Sequence, residues 1–245
     1  MTIAREGLRE IAAATIVCNA AAAAAVWAAS VLPAFWLIAA AAWALWVMIV
    51  LFFRDPHRTV TDESGVMVAP ADGRVTEVAR LDGYEGIDGP AVRIGIFLSV
   101  FDVHINRMPC AGRVVKTFHR PGRFLDARHP ECGALNESNT IIIEPDGRTA
   151  GPVVIRQIAG RIARRIICNV SPNERVARGQ RLGLIKFGSR TELIAPVSGG
   201  LEPAVRVNDR VRGGSSVVMR TRTAAPIAES VKLAKALTEQ LISKQ

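Results

Sequence analysis

The chain opens with two long apolar segments and continues as short runs in which apolar and polar residues alternate. No charged residue lies between Ile11 and Phe53. Such a stretch is long enough for two helices of about 20 residues, the length that crosses a bilayer. Pro33 lies between the two segments, where it favours a turn and the start of a second helix. The pattern predicts a membrane-anchoring α-helical hairpin over residues 1–58, in which segment 34–53 is the more strongly apolar.

Beyond the hairpin, apolar residues recur at every second position, which is the period of a β-strand. The clearest runs are 92–100, 140–144, 153–158 and 182–194. The sequence therefore predicts a β-rich (α+β) single catalytic domain over residues 59–245. At its end, residues 226–245 place apolar side chains at helical spacing among lysines, which predicts an amphipathic basic helix.

Residues 195–217 resemble the hammerhead hairpins of biotinyl and lipoyl carrier domains. In those domains two similar β-hairpins flank a lysine that becomes modified. Here Gly199 and Gly200 occupy the corresponding hairpin, which contains no lysine. The pattern therefore predicts barrel-sandwich, lipoyl-like hairpins as architecture, without the chemistry of a carrier domain.

The formal net charge of +9 at pH 7 fits two classes of anionic partner, nucleic acid and a membrane surface. All four tryptophans lie in the hairpin, and no nucleic-acid recognition motif follows it, so no nucleic-acid partner is predicted. The apolar hairpin favours anionic lipid, although a solvated basic face fits the same charge. Arg5 and Arg9 precede the hairpin, and Arg54 and Arg58 follow it. Because basic residues stay on the cytoplasmic side, the catalytic domain is expected on the cytoplasmic face of the inner cell membrane.

The cysteines and histidines are scattered along the chain. They are Cys18, Cys110, Cys132, Cys168, His57, His104, His119 and His129. None of their spacings matches a metal-binding motif, so the sequence predicts no bound metal. Free, reduced cysteines are expected in a cytoplasmic domain.

A glycine–serine pair, Gly188-Ser189, interrupts the predicted half-buried strand 182–194. Glycine inside a strand indicates a bulge, a bend or a close approach of another backbone. The serine hydroxyl after such a glycine can turn onto the glycine carbonyl, which is the geometry that self-cleavage of a Gly-Ser bond requires. Taken alone, the pair is more simply explained as a kink in the strand.

Several motifs accompany this pair in a fixed order. They are ADGRV at 71–75, FLSVFDVHINRMP at 97–109, LNESN at 135–139, QIAGRIARRI at 157–166 and ERVARGQRLGLIKFGSR at 174–190. In this order they resemble the phosphatidylserine decarboxylase proenzymes of the short, bacterial and archaeal type. The resemblance covers residues 56–222, which is most of the chain beyond the hairpin.

The resemblance implies an inactive precursor that cuts itself at Gly188-Ser189 into a large chain, 1–188, and a small chain, 189–245. The two chains would stay together as a heterodimer, and a higher oligomer is left open. Ser189 would become an N-terminal pyruvoyl group, a covalent cofactor that replaces pyridoxal phosphate and needs no metal. A Schiff base between this group and membrane phosphatidylserine would then lose carbon dioxide and yield phosphatidylethanolamine.

The same resemblance implies catalytic roles for Asp72 in ADGRV and His104 in FDVHINRMP, alongside Ser189. Longer relatives carry a second histidine where this chain has Arg107. The base for self-cleavage is therefore left open: His104 acts in both steps, or another group starts the cleavage. Arg107 is then a candidate for holding the phosphate or carboxylate of the substrate.

The LNESN motif supplies Asn136, Glu137 and Asn139 as further substrate candidates. Side chains of this kind also cap or turn the backbone, and that alternative stays open. Ser138 stands where relatives commonly have arginine, so a phosphate-binding role for an arginine there is lost.

Three alternatives remain beside the main hypothesis. A second glycine–serine bond, Gly214-Ser215, is a rival cleavage position without the flanking resemblance. A membrane-tethered adaptor with a lipoyl-like β-domain would have no chemistry and an intact chain. A pyruvoyl decarboxylase acting on a soluble amino acid would have no use for the apolar hairpin.

Overall fold

The computed structural model describes residues 2–147, 151–161, 165–186, 188–198 and 200–222. The predicted basic helix at 226–245 lies outside the described residues. The described helices are α1 Leu8–Ala28, α2 Phe35–Phe52 and α3 Cys132–Leu135, with a 3-10 turn at Arg5–Gly7. The described strands are β1 Thr2–Ile3, β2 Arg54–Asp55, β3 Val66–Val68, β4 Gly73–Leu81, β5 Ala91–Leu98, β6 Ile105–Arg107, β7 Gly112–Arg120, β8 Ser138–Pro145, β9 Val153–Ile158, β10 Ile166–Cys168, β11 Arg175–Val176, β12 Arg181–Ile185, β13 Ser189–Pro196, β14 Leu201–Pro203, β15 Arg210–Val211 and β16 Val217–Thr221. The β-rich fold that the sequence predicts is confirmed.

The two apolar segments form the helices α1 and α2, as predicted, with a turn between them at Pro33. Both helices are long and apolar enough to cross a membrane. Their outward surfaces are apolar, and Trp27 and Trp43 are 79% and 59% exposed. An apolar surface of this extent indicates contact with a partner or a lipid phase, so the pair of helices suggests membrane association.

The base of the helical pair is fixed to the β-domain by a short strand pair and an apolar cluster. Strand β1, at the N-terminus, pairs with β2, which directly follows α2. The cluster joins residues of both helical ends to strands β6 and β12 and consists of Ala4, Phe52, Phe53, Val103, Ile105 and Leu184. The apolar helices therefore rest on the part of the domain that leads to Gly188.

The largest sheet contains eight antiparallel strands in the order β11-β7-β8-β9-β13-β5-β4-β15. Strand β13 lies between β9 and β5 and is buried along its whole length. The prediction of a half-buried strand is therefore wrong for β13. Leu193 belongs to the main apolar core on one face, whereas Ile194 belongs to a second apolar cluster on the other face, so both faces are covered.

The predicted run 182–194 is not one continuous strand. Strand β12 ends at Ile185 and belongs to a three-stranded sheet with β10 and β6, whereas β13 begins at Ser189 in the eight-stranded sheet. The chain thus changes sheets at the Gly188-Ser189 bond, which lies at the start of a strand and not inside one.

The alternating run 92–100 also ends earlier than predicted, because β5 stops at Leu98. A turn follows, in which the Asp102 carboxylate accepts hydrogen bonds from the backbone N–H and the hydroxyl of Ser99, at 2.8 and 2.7 Å. His104 therefore lies beyond this turn and not at the end of β5. The predicted strands 140–144 and 153–158 are confirmed as β8 and β9.

Candidate active site

Gly188 adopts a backbone conformation that suits glycine and few other residues. Its φ is +67°, in the left-handed region, where a side chain would strain the backbone. This conformation turns the chain from one sheet into the other. The carbonyl oxygen of Gly188 lies so close to Gly160 that a Cβ atom on Gly160 would be 2.1 Å from it. Two glycines thus fix the carbonyl that a self-cleaving chain must present.

Ser189 begins β13 and is fully buried, pairing in register with Leu98 of β5. Within the described part of the chain its hydroxyl oxygen has no hydrogen-bond partner. Leaving a buried hydroxyl unpaired costs about 1–3 kcal/mol, so such groups are rare in native proteins and call for an explanation. One explanation is that the hydroxyl is kept free to attack the neighbouring Gly188 carbonyl.

His104 is fully buried and contacts the residue on the other side of that bond. Its Nε2 atom accepts the backbone N–H of Gly188 at 3.0 Å, and its Nδ1 lies 2.9 Å from the carbonyl oxygen of Asp102. Because an amide N–H only donates and a carbonyl only accepts, the imidazole is the neutral tautomer with its proton on Nδ1. Burial lowers the pKa of His104 to about 4, which agrees with a neutral ring. The site therefore holds a neutral base against Gly188.

The apolar helices contribute directly to the surroundings of this histidine. The ring of Phe52, the last residue of α2, lies 4.2 Å from the His104 ring between centroids. Phe52 keeps water away from the imidazole and is one source of the burial that lowers its pKa. The second apolar helix thus contributes a wall of the candidate site.

A row of buried polar side chains extends from Thr191, which lies on the same face of β13 as Ser189. Asn106 donates to the Thr191 hydroxyl at 3.1 Å, and Gln157 donates to Asn106 at 2.9 Å. Asn139 donates to Gln157 at 3.1 Å. Only Asn139 was singled out from the sequence. Asn106 and Gln157 lie within the FDVHINRMP and QIAGRIARRI motifs, where a polar residue among apolar strand positions is the signal that could have found them.

Asp72 directly precedes β4 and is held by two partners. Its carboxylate forms a salt bridge with Arg58 and accepts the backbone N–H of Gly213 at 2.8 Å. Burial raises the pKa of Asp72, and Arg58 partly opposes that shift. Among the hydrogen bonds between described residues, none joins Asp72 to His104 or Ser189. A catalytic role for Asp72 stays a prediction.

Arg107 is engaged with the base of the helical pair. Its guanidinium forms a salt bridge with Asp55 of β2 and donates to the carbonyl oxygen of Gly179 at 3.1 Å. Burial lowers the pKa of Arg107, although Asp55 opposes that shift. This contact ties β6 to the end of the helices, and a substrate-binding role for Arg107 stays a prediction.

Asn136 and Glu137 have partners within the protein. The Asn136 amide accepts the backbone N–H of Leu125 at 2.9 Å and donates to the carbonyls of Leu125 and Ala159. Asn136 therefore holds the chain next to Gly160 in place, as a backbone-capping residue does. Glu137 lies 3.1 Å from the imidazole of His119.

Two cavities that share Val100 lie on this side of the domain, and Gly188 lines the first of them. The first has a volume of about 310 Å³ and is lined by Phe97, Ser99, Val100, Asp126, Ala127, Arg128, Arg161 and Gly188. The second, of about 410 Å³, lies along α2 and is lined mainly by apolar side chains, namely Ala44, Val47, Met48, Leu51, Phe52, Val100 and Phe101, together with Arg54. Val100 lines both, so a cavity with three charged residues at Gly188 adjoins a groove on the helices whose only charged residue is Arg54. Among the described residues, no group of three or more His, Cys, Asp or Glu side chains could hold a metal ion.

Replacing Gly160 with alanine tests the close contact with the Gly188 carbonyl. The added Cβ would collide with the oxygen and displace the scissile carbonyl, and a displacement of about 1 Å can slow a reaction roughly 100-fold. We expect the rate of self-cleavage, followed as the fraction of cut chain on a denaturing gel, to fall by about that factor. Gly83→Ala is the matched control, since the nearest atom to its new Cβ would be 4.0 Å away. Cleavage of a folded Gly160→Ala protein at the normal rate would contradict this role.

A free buried hydroxyl, a fixed carbonyl and a neutral imidazole at one Gly-Ser bond define the class of self-processing proenzymes. The family model described as phosphatidylserine decarboxylase matches residues 46–219. The phosphatidylserine decarboxylase proenzyme of Solibacter usitatus is 43% identical over 201 residues, 82% of this chain and 90% of the relative. The proenzyme of the same name from Desulfotalea psychrophila is 40% identical over 167 residues, 68% of this chain and 76% of the relative. This chain belongs to the phosphatidylserine decarboxylase family.

Proposed function

We propose that this protein is a proenzyme that cuts itself at Gly188-Ser189 and then decarboxylates phosphatidylserine to phosphatidylethanolamine. The observation that carries the proposal is the buried hydroxyl of Ser189, which has no hydrogen-bond partner among the described residues and follows a glycine held by a neutral histidine. The membrane-tethered adaptor is not supported, because the relatives that match this chain are decarboxylase proenzymes. The family membership also disfavours a soluble amino acid as substrate.

Self-cleavage begins when the Ser189 hydroxyl oxygen attacks the carbonyl carbon of Gly188. The hydroxyl proton passes to a base, the Gly188–Ser189 amide bond breaks, and its nitrogen takes up a proton, which leaves an ester between the two residues. Loss of the α-proton of residue 189 then breaks its Cβ–O bond, which gives a Gly188 carboxylate and dehydroalanine at position 189. Water converts the dehydroalanine into a pyruvoyl group and ammonia. The products are a large chain, 1–188, and a small chain, 189–245, held together without a covalent bond.

His104 is the base that fits this sequence best, because it is neutral and already bonded to Gly188. Its Nε2 lone pair is available to take a proton once the Gly188 N–H moves aside. After the cut, Gly188 keeps its N–H but becomes a free C-terminus. Once this chain end moves away, Nε2 is available for a second task, delivery of a proton to the substrate carbon that loses carbon dioxide. One histidine thereby acts in both reactions, and Arg107 keeps its structural contact with Asp55.

The surroundings of residue 189 fit a pyruvoyl group. The ketone of the pyruvoyl group would form at the Cα atom of residue 189, in place of its amide nitrogen, at the buried start of a rigid central strand. Once formed, the group supplies a carbonyl that accepts the electrons released when carbon dioxide leaves. The chain itself supplies a site closed to water by Phe52, with a proton held or accepted at His104.

The two cavities that share Val100 support a phospholipid substrate. The cavity lined by Gly188 also contains Arg128 and Arg161, which could bind a phosphate or carboxylate. The apolar groove along α2 has the lining that an acyl chain requires. Val100 joins the two, so a head group at the site and an acyl chain on the membrane-associated helix fit a single lipid molecule.

The helical pair would anchor the enzyme as a hairpin over residues 1–58, with the catalytic domain, 59–245, on the cytoplasmic face of the inner membrane. The basic residues at both ends of the pair support this orientation. If this orientation is correct, protease digests the domain in inside-out vesicles but not in right-side-out ones.

The described strands also support a lipoyl-like hairpin shape around residues 195–217. Strand β14 pairs with β16, and the chain between them turns at Asn208, whose φ is +80°.

The intact mass of the purified protein is the first test of this function. We expect two chains that meet at Gly188 and Ser189, the smaller one blocked at its N-terminus, and release of carbon dioxide from phosphatidylserine in vesicles. A single uncut chain from processing-competent membranes would contradict the proenzyme hypothesis. A cut at Gly214-Ser215 would keep the chemistry and move the site.

A further inference from the structure

Lys186 lies two residues before the bond that is cut and contacts the first helix of the chain. Its side chain is 9% exposed. The ammonium group forms a salt bridge with the carboxylate of Glu10 in α1 and donates to the carbonyl oxygen of Glu6 at 3.2 Å. It also lies 5.7 Å from the centroid of the Phe53 ring. A charge on the cleavage segment is thus held by the N-terminal segment and the end of α2.

A second contact holds the other end of the same strand. The carboxylate of Glu6 forms a salt bridge with Arg181, the first residue of β12, and accepts a hydrogen bond from Asn169 at 2.6 Å. Lys186 directly follows the last residue of β12. We call Glu6, Glu10, Arg181 and Lys186 the anchor clasp. It fixes both ends of the strand that leads into the Gly-Ser bond to the start of the membrane-associated helix.

The clasp limits where the scissile carbonyl can lie. Only one residue separates Lys186 from Gly188, and two residues of extended chain span at most about 7 Å. Because Lys186 is buried, an ammonium group without Glu10 would be left with an uncompensated charge and would move toward water. Such a movement would draw Gly188 away from Gly160 and His104, the contacts that hold its carbonyl and its N–H.

We propose that the Glu10–Lys186 pair positions the cleavage segment, so that self-cleavage depends on docking of the first apolar helix against the domain. The proposal rests on the self-cleavage proposed above and adds a condition for it: a precursor whose N-terminal helix is not yet in place cuts itself slowly. Glu10 and Lys186 both remain in the large chain after the cut, so the same pair keeps the new C-terminus at Gly188 close to the helix. Neither residue touches the substrate, and both are positioning residues.

The test follows the appearance of the two chains over time in Lys186→Met and Glu10→Gln proteins made in the presence of membranes. We expect each variant to be cut about tenfold more slowly, the scale of a coupling between two charged partners. Turnover of phosphatidylserine per pyruvoyl group should match the unchanged protein, because the pair acts before the cofactor exists. A general loss of structure would lower both quantities.

The double variant shows whether the two residues act as one unit. Lys186→Met with Glu10→Gln removes both charges and leaves neither unpaired, so we expect it to fold and to be cut no more slowly than either single variant. Arg220→Met, which removes an exposed salt bridge to Glu63 far from the clasp in sequence, is the control and should be cut at the normal rate. If a single variant does not fold, the double variant is compared with the unchanged protein: slower cleavage supports the proposal, and a normal cleavage rate overturns it.

Three results would overturn the proposal. They are normal cleavage rates in the folded Lys186 and Glu10 variants, rate losses that multiply in the double variant, and an equal loss of turnover per pyruvoyl group. Each of them leaves the proposed function intact, provided that the unchanged chain is cut. Absence of cleavage in the unchanged chain would instead contradict the proposed function itself.

Discussion

Replacing Ser189 with alanine is expected to leave one uncut chain of 26.3 kDa that does not decarboxylate phosphatidylserine. In the proposed function, the Ser189 hydroxyl is the nucleophile and the carbon atoms of Ser189 become the pyruvoyl group, so the alanine variant can neither cut itself nor form the cofactor. Loss of a catalytic nucleophile typically lowers a rate about 10⁶-fold, which here means no detectable cut chain. Mass spectrometry of the purified variant, together with release of labelled carbon dioxide, measures both effects.

The same substitution should stabilise the uncut precursor. The Ser189 hydroxyl is buried and, within the described residues, has no hydrogen-bond partner, so its removal relieves a cost of about 1–3 kcal/mol. An unchanged or raised midpoint of thermal unfolding would separate lost chemistry from lost structure. Ser215→Ala, at the rival Gly-Ser bond, is the matched control and should be cut normally. If the Ser189 variant were cut and the Ser215 variant were not, the cleavage site would be at Gly214-Ser215.

Replacing His104 with glutamine is expected to slow self-cleavage by about 10²–10⁴-fold, the range that a general base contributes. Glutamine can still bond to the Gly188 N–H through its side-chain oxygen, so the loss would report the missing base and not a missing contact. The rate is measured on freshly made precursor by denaturing gel. His57→Gln, at an exposed position, is the control and should be cut at the normal rate. A His104 variant that folds and is cut at the normal rate would contradict the assignment of His104 as the base for self-cleavage.

The pKa of His104 gives a second, independent test of its role. Burial lowers this pKa to about 4, so the imidazole remains a neutral base well below its usual limit near 6.5. If His104 is the base, its protonation should not change the cleavage rate between pH 8 and 5 and should lower the rate only near pH 4. Half-loss of rate near pH 6.5 in the unchanged protein would mean that the base is an exposed histidine or another group.

The lowered pKa of His104 also makes the stability of the folded protein depend on pH. Below about pH 6.5 the unfolded chain binds a proton at His104 that the folded chain takes up only near pH 4. Stability from this group is therefore fully present above pH 6.5 and is lost as the pH falls toward 4, by at most about 3 kcal/mol. Denaturant unfolding at several pH values should show this slope in the Ser189→Ala precursor and a smaller slope when His104→Gln is added.

Much of the architecture could be predicted from local patterns. The charge-free stretch before Arg54 predicted the two helices, and the period-two runs predicted β8 and β9, because each pattern reflects the burial of a single element. The sequence also singled out His104 and Ser189, which the fold brings to the two sides of Gly188. These residues lie in short motifs whose spacing is fixed by the strands that carry them.

What the sequence could not predict depends on contacts between distant parts of the chain. The alternation in 182–194 shows an apolar face, but a second covering layer over β13 is formed by residues far away in sequence. Asn106 and Gln157 are 51 positions apart and meet only because β6 lies over the eight-stranded sheet. The hydrogen bonds of Asp72 run to Arg58 and to Gly213, which is 141 positions further on, and no local pattern indicates these partners.

The position of β13 has a consequence for how long the mature enzyme lasts. The small chain would contribute β13 to the middle of the eight-stranded sheet, β15 to its edge, and β14 and β16 to the sheet that contains β3. Unfolding the precursor is a unimolecular and reversible event in principle, whereas the cut protein, once unfolded, must find its other chain again. Refolding then becomes second order and depends on concentration, so the lifetime of the mature enzyme is set by its unfolding rate and not by an equilibrium.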